Sequence, residues 1–131
     1  MPISYSVSEG DLVVADGRGT RWRGRPDGCR VACVVQVPTA RDAVVLLEDE
    51  LASPRFSNVL RIDPDGQIQW RAAPPGLADV APGEAELVGG EDAWVAVRWE
   101  KRRGLSANSW SCFYCRLIPD TGAITLAEFT K

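Results

Sequence analysis

The sequence contains no histidine. Without imidazole, Ser-His-Asp and Cys-His nucleophile pairs cannot be assembled, and the commonest ligand of catalytic zinc is missing. Hydrolytic chemistry built on those groups is excluded. Lysine is scarce too: only Lys101 and Lys131 occur, and every other basic position is arginine. With abundant Ala, Val and Gly, this composition fits a GC-rich bacterial genome. No apolar run approaches the ~18 residues of a membrane span, and Met1-Pro2-Ile3-Ser4-Tyr5 lacks a basic segment followed by an apolar one. The expected location is cytoplasmic, without membrane contact. Charge of one sign is also lacking. The net charge is -3 with acidic and basic residues interspersed, so no overall field favours nucleic acid. No window of helical length shows 3.6-residue periodicity, which predicts little helix.

What is present is strand and turn chemistry. In Asn58 to Ala72, the aliphatic run Val59 to Ile62 meets Asp63-Pro64-Asp65-Gly66, and the alternating Gln67-Ile68-Gln69-Trp70 follows. Pro64 presets its own φ and donates no N–H, and Gly66 tolerates φ > 0, so a tight reversal is predicted here. The C-terminus repeats the order: Phe113 to Leu117, a turn at Ile118-Pro119-Asp120-Thr121-Gly122, then Ala123 to Phe129. Leu12 to Ala15 and Arg21 to Arg23 flank Asp16-Gly17-Arg18-Gly19 as an N-terminal hairpin, and Arg25-Pro26-Asp27-Gly28 is a further turn. Cys29 to Val37 is a Val-rich run of the kind that forms a central strand buried on both faces. Ala43 to Leu47 is another strand, ended by Glu48-Asp49-Glu50. Ser53-Pro54-Arg55 has loop chemistry, and Ala73 to Gly90 reads as a long surface loop, an uncommon feature that is functional or mobile. Ala93 to Trp99 alternates again, Glu100-Lys101-Arg102-Arg103-Gly104 is a charged turn, and Leu105 to Trp110 leads into the last hairpin.

At 131 residues the chain is expected to be a single all-β domain, burying roughly two thirds of its unfolded surface. An internal repeat relates 42–72 to 92–129. Asp42-Ala43-Val44-Val45 matches Asp92-Ala93-Trp94-Val95, Arg61 with Pro64 matches Arg116 with Pro119, and Trp22-Arg23 matches Trp70-Arg71 more weakly. Periods near 50 residues mark propellers and related arrays. The strand, Asp-Pro-Asp-Gly turn and Gln67-Ile68-Gln69-Trp70-Arg71 together resemble the blade repeat of PQQ-like β-propellers; the C-terminal copy departs from it with Leu126 where Trp is expected. A closed propeller takes about four or more blades of some forty residues each, so the resemblance implies the meander and neither the ring nor the quinone. Asn108-Ser109-Trp110-Ser111, with Thr121-Gly122 and Phe129-Thr130-Lys131, is also similar to small uncharacterised bacterial proteins, a resemblance that implies no activity.

The expected fold is therefore antiparallel β-meander: two four-stranded units plus an N-terminal hairpin, nine to eleven strands in all, as a sandwich or open propeller-like stack. Unpaired edges in such an array favour a homodimer through edge strands.

Cys29, Cys33, Cys112 and Cys115 form a CxxxC followed far downstream by CxxC. Four thiolates could close a structural zinc site. Against this, Cys112 and Cys115 fall three apart in a strand and so on opposite faces, whereas Cys29 and Cys33 share one face; small buried hydrophobes are the plainer reading, with no metal. Trp22 and Trp70 are expected to anchor the core at equivalent places in the repeat. Trp99 and Trp110 fall outside that equivalence and suit a surface role. The acidic stretches at Glu48 to Glu50 and Glu84 to Asp92 lack EF-hand spacing and read as solvated loop charge.

These features favour a non-enzymatic protein-binding module, of which an inhibitor or immunity-like protein is one instance, with no cofactor. Its contact surface would combine the Ala73 to Gly90 loop, the Glu100 to Gly104 turn and the residues Trp99, Arg102, Arg103 and Trp110. The alternatives are a small-ligand or carbohydrate site built from Trp beside Arg21, Arg23, Arg71 and Arg102, or a structural zinc protein with the four cysteines as ligands.

Overall fold

The computed structural model describes residues 2–38, 40–48, 58–72, 93–110 and 112–130. The expected loop from Ala73 to Gly90, the Ser53-Pro54-Arg55 loop, the acidic stretch Glu84 to Asp92, and Asp49 with Glu50 lie outside the described residues. Eleven strands occur among those described. Strands β1 (Ser4–Ser8), β2 (Asp11–Asp16) and β3 (Gly19–Gly24) form a three-stranded antiparallel sheet, sheet 1. Sheet 2 is a meander of β4 (Val31–Gln36), β5 (Ala43–Leu47), β6 (Val59–Ile62) and β7 (Ile68–Ala72). Sheet 3 is a second meander, β8 (Trp94–Glu100), β9 (Gly104–Ser109), β10 (Phe113–Leu117) and β11 (Ile124–Phe129). The fold is thus all-β and antiparallel, with two four-stranded units as read from the sequence.

Three details differ from the sequence reading. The N-terminal unit is a sheet of three strands, because Ser4–Ser8 pairs along β2; the segment SYSVS is mostly exposed, so no buried apolar alternation announces it. The strand buried throughout is β5, all five residues of it, rather than the Cys29 to Val37 run. The segment β4 is an edge strand and only partly buried; a Val-rich run records hydrophobicity but not its position in a sheet. The likeness of Asp42-Ala43-Val44-Val45 to Asp92-Ala93-Trp94-Val95 is not positional either, since β5 is the second strand of its meander and β8 the first. The likeness of Arg61 to Arg116 is. Each stands in the third strand of its sheet, pairs with Trp70 or Leu126 respectively, and is followed at once by a register shift.

Period-two alternation then divides the core in two. Val31, Val45, Leu47, Leu60 and Ile62 of sheet 2 pack with Ile3, Leu12 and Val14. Val44, Leu46 and Val59 pack with Trp94, Leu105, Ala107, Phe113, Cys115 and Leu117 of sheet 3. Sheet 2 is therefore sandwiched between its neighbours, and its strands are held from both faces.

The joints between sheets repeat one device. Asp63 Oδ1 accepts the backbone N–H groups of Asp65 and Gln67, each at 2.9 Å, which shapes the β6–β7 turn and brings Gly66 round at φ +84°. The Trp22 indole of sheet 1 lies directly on Gly66, in the space a Cβ would need. One sheet further on, Trp70 lies on Gly122 (φ +77°), where an added Cβ would fall 2.5 Å from Cε3 of the ring. Trp70 Nε1 donates to the Pro119 carbonyl at 2.7 Å, and Arg61 Nη1 donates to the same oxygen at 2.7 Å while its Nε is 2.9 Å from Asp42. At the other end of this joint the buried Asn58 amide donates to Trp94 O (2.8 Å) and Leu47 O (3.1 Å) and accepts from Trp94 N–H (2.9 Å). Trp94 Nε1 donates to Ala72 O at 2.8 Å. Polar groups buried between the sheets are therefore paired across the joint, where leaving one unpaired would cost about 1–3 kcal/mol.

Gly122→Ala is expected to lower stability by about 2–4 kcal/mol, because it adds a clash with Trp70 to the strain of a positive φ. Gly28→Ala, also at positive φ but with open space around it, should cost only the ~1 kcal/mol of backbone strain. Urea unfolding of the two variants checks this; equal losses would mean that the indole does not need the bare peptide.

Candidate interaction face

Alternation along sheet 3 turns Val97, Trp99, Leu105, Ala107, Cys115 and Leu117 toward sheet 2. The intervening positions face away from it. Cα pairing aligns these as two rows across the sheet: Ala96, Asn108, Tyr114 and Glu128 in one, and Arg98, Ser106, Arg116 and Leu126 in the other. Glu100 ends β8 on the same face, and Arg103 follows in the β8–β9 turn.

Tyr114 organises this face. From β10 it reaches across β9, and its hydroxyl donates to Glu100 Oε2 on β8 at 2.6 Å. The guanidinium carbons of Arg98 and Arg103 each sit 5.7 Å from the ring centroid, a distance at which a cation is attracted by the aromatic quadrupole. Arg98 is fixed in turn: Nε is 3.1 Å from Glu100 Oε1 and Nη1 is 2.8 Å from Asn108 Oδ1. Arg116 donates through Nε and Nη2 to the Arg103 carbonyl at 3.2 and 3.1 Å, tying β10 to the turn. Because of these contacts Tyr114 is only 6% exposed despite lying on an outward face, and Ser106 is wholly buried with no partner for its Oγ among the described residues. The Tyr114 hydroxyl, and after it Arg98, hold the Glu100 carboxyl below the ordinary glutamate range. The cluster offers a preformed surface in which a buried tyrosine ring fixes charged arms of both signs.

The structure places the residues singled out from sequence as follows. Arg103 belongs to the cluster through its stacking on Tyr114. Arg102 is exposed in the same turn. Trp99 is half-buried and packs against the core between sheets 2 and 3. Trp110 is 61% exposed, but it leaves β9 at the opposite end of the ladder from Arg102 and Arg103, roughly 20 Å away along the strand, where its N–H donates to Ala93 O at 2.7 Å. Trp22 and Trp70 occupy equivalent joints.

The cysteines separate. A register shift between Val31 and Cys33 breaks the even spacing, so Cys29 packs with the core between sheets 1 and 2 and Cys33 with the core between sheets 2 and 3. Cys115 is buried, with its thiol side in the second core, and Cys112 is exposed at a positive φ of 71°. Burial pushes the Cys33 thiol up from its ordinary value. No disulfide joins the four, and no group of three or more Cys, Asp or Glu side chains among the described residues is placed to hold a metal ion. No helix among them is long and apolar enough to cross a membrane.

Tyr114 and Arg98 escaped the sequence reading, which had Glu100 as the start of the charged turn but not as Tyr114's partner. The signal was present as the polar half of the alternation in β8, β9 and β10, but which polar side chains meet depends on strand order.

No protein-family model matches the sequence, and no curated protein matches it. Among solved structures the chain is similar to BamB from Moraxella catarrhalis, a β-propeller protein with PQQ-like repeats, with a TM-score of 0.60 at 14% identity. The match covers 98% of this chain and 32% of that one, so the chain spans about a third of the length of BamB. At such identity the likeness shows the fold: these meanders are stacked as propeller blades are.

Tyr114→Phe is expected to move the Glu100 titration upward, toward the ordinary glutamate range, in a carboxyl NMR titration. The linkage has a definite sign. A carboxyl depressed in the folded state adds stability above its unfolded pKa and loses it as pH falls through the folded value. Glu100→Gln should therefore be less stable than the parent at neutral pH and approach it in acid; a difference independent of pH would remove Glu100 from the charge cluster.

Proposed function

We propose that this chain is a non-enzymatic protein-binding module whose partner seats on the outward face of sheet 3. The observation that carries the reading is Tyr114, immobilised between Arg98 and Arg103 and bonded to Glu100. Tyrosine and arginine are the residue types enriched at the centres of protein interfaces. Here they are ordered before any partner arrives, which reduces the side-chain entropy lost on association. Arg102 in the adjoining turn and Trp110 at the far end of β9 would extend the contact along the strand. Trp99 would act from beneath, by holding the β8–β9 turn against the core. The propeller-like fold supports the reading without naming a partner, and an inhibitor or immunity-like role is one instance of it.

A homodimer through edge strands is the second reading. It is favoured by β3, β7 and β11, each of which ends its sheet and pairs on one side only.

A native mass spectrum of the untagged protein, purified gently from its own host, separates these readings. A second polypeptide supports the module, twice the chain mass supports the homodimer, and the bare chain mass speaks against a stable form of either. Once a partner is in hand, Tyr114→Ala and Arg98→Ala are each expected to weaken it by roughly 10- to 100-fold. Val7→Ala, on sheet 1, should leave affinity unchanged. Equal affinity for all three variants would move the contact off this face.

A further inference from the structure

At the end of the array that carries the β2–β3, β4–β5 and β6–β7 turns, a cleft of about 220 Å³ is lined by Ile3, Asp16, Arg18, Arg21 and Arg41. It lies beside sheet 1, away from the Tyr114 face. Three arginines and one aspartate line it, and Asp65 adds a second carboxylate beside Arg21, which leaves one positive charge in excess in a chain whose net charge is -3. The charge that is present is already committed. Arg21 lies 2.8 Å from Asp65 and 3.8 Å from Asp16. Asp16 also accepts the Arg18 backbone N–H at 2.7 Å, and the neighbouring Asp42 is held by Arg61 at 2.9 Å. Arg18 and Arg41 differ from Arg21: neither guanidinium makes an ion pair or hydrogen bond with the described residues.

Yet the backbone of both is fixed. The N–H of Arg18 is pinned by Asp16, and the carbonyl of Arg41 accepts the Tyr5 hydroxyl at 2.5 Å. Burial, with help from Asp42 and Asp63, pushes the Tyr5 hydroxyl up to about 12, so it remains a donor across the neutral range. The cleft therefore has two anchored arginines with open forks, a third already oriented by carboxylates, and the buried Ile3 as an apolar wall. A guanidinium presents paired N–H donors in a plane that matches two oxygens of a carboxylate or phosphate. Clustered cations that lack carboxylate partners are reconciled when a shared anion occupies the space between them.

We propose that this cleft binds a small oxyanion, the carboxylate or phosphate group of a compact ligand, gripped by Arg18 and Arg41 with Arg21 at its side and Ile3 against its apolar part. The volume suits a small molecule and not an extended polyanion, and Asp16 and Asp65 repel phosphates beyond the first.

The test is a titration of the whole chain with sodium phosphate and with sodium acetate, against sodium chloride at the same ionic strength, followed by arginine side-chain NMR. Saturable shifts of Arg18 and Arg41 with either oxyanion, absent with chloride, are expected, and the tighter of the two tells whether the natural group is a phosphate or a carboxylate. Arg18→Ala and Arg41→Ala should each weaken binding by roughly tenfold, the loss of about one charge-assisted hydrogen bond. Arg18→Lys and Arg41→Lys should also weaken it, because a point charge lacks the fork. Both positions are exposed, and urea midpoints confirm that the variants fold. Shifts no larger than those given by chloride, or saturable binding that survives the double alanine variant, would overturn the proposal.

Discussion

An indole seated against a bare glycine peptide is the contact on which this protein's architecture depends. Trp22 on Gly66 and Trp70 on Gly122 join each sheet to the next, and neither joint leaves room for a Cβ under the ring. The turn geometry that presents the glycine is local, set by Asp63 and by prolines whose φ is fixed; the ring that covers it comes from the neighbouring sheet. Around the second joint, Arg61 and Trp70 both reach the Pro119 carbonyl, and Asn58 with Trp94 secures the opposite end. Each sheet thus contacts mainly its neighbour, as in repeat arrays whose stability is a sum of unit and interface terms. Sheet 2 has an interface on both faces, which is why β5 is buried along its whole length.

The outward face of sheet 3 shows what becomes of the same positions when the joint residues change. Arg116 stands where sheet 2 has Arg61, and Leu126 stands where it has Trp70. Arg61 reaches out to the next sheet's turn, whereas Arg116 folds back onto the carbonyl of Arg103 within its own sheet. Tyr114, with its two arginines and Glu100, fills the space on this face, and the surface becomes polar, ordered and outward-looking. A face that in sheet 2 is specialised for docking on a blade is here furnished with the residue types that protein partners use.

Legibility followed the range of the interactions involved. The hairpin at Asp63 to Gly66 and the turn at Pro119 to Gly122 could be read directly, because turn chemistry is written in consecutive residues. The strand β1 could not, since SYSVS has no buried alternation and exists through its pairing with β2. Arg103 was legible as part of a charged turn, but its stacking on Tyr114 required β8, β9 and β10 to lie in order. The spacing of Cys29 and Cys33 suggested a shared face, and one register shift put them in different cores. Of the cleft only Arg21 was legible, as a small-ligand candidate beside tryptophan; Ile3, Arg18 and Arg41 come from the N-terminal segment and two separate turns, and the sequence does not show that they meet.

By itself the sequence determined the class and grain of this protein: β-branched runs of strand length, Pro/Asp/Gly turns between them, a repeat that ends in Trp-Arg, and no imidazole for nucleophilic catalysis. Those properties arise from contacts within a few residues, so the order of amino acids is enough to specify them. Only the tertiary structure decided which strand was central, which tryptophan met which glycine, and which arginines were left with open donors. Those outcomes depend on groups 30 to 60 residues apart meeting across sheets, such as Arg61 with Pro119, and separation along the chain carries no trace of that meeting.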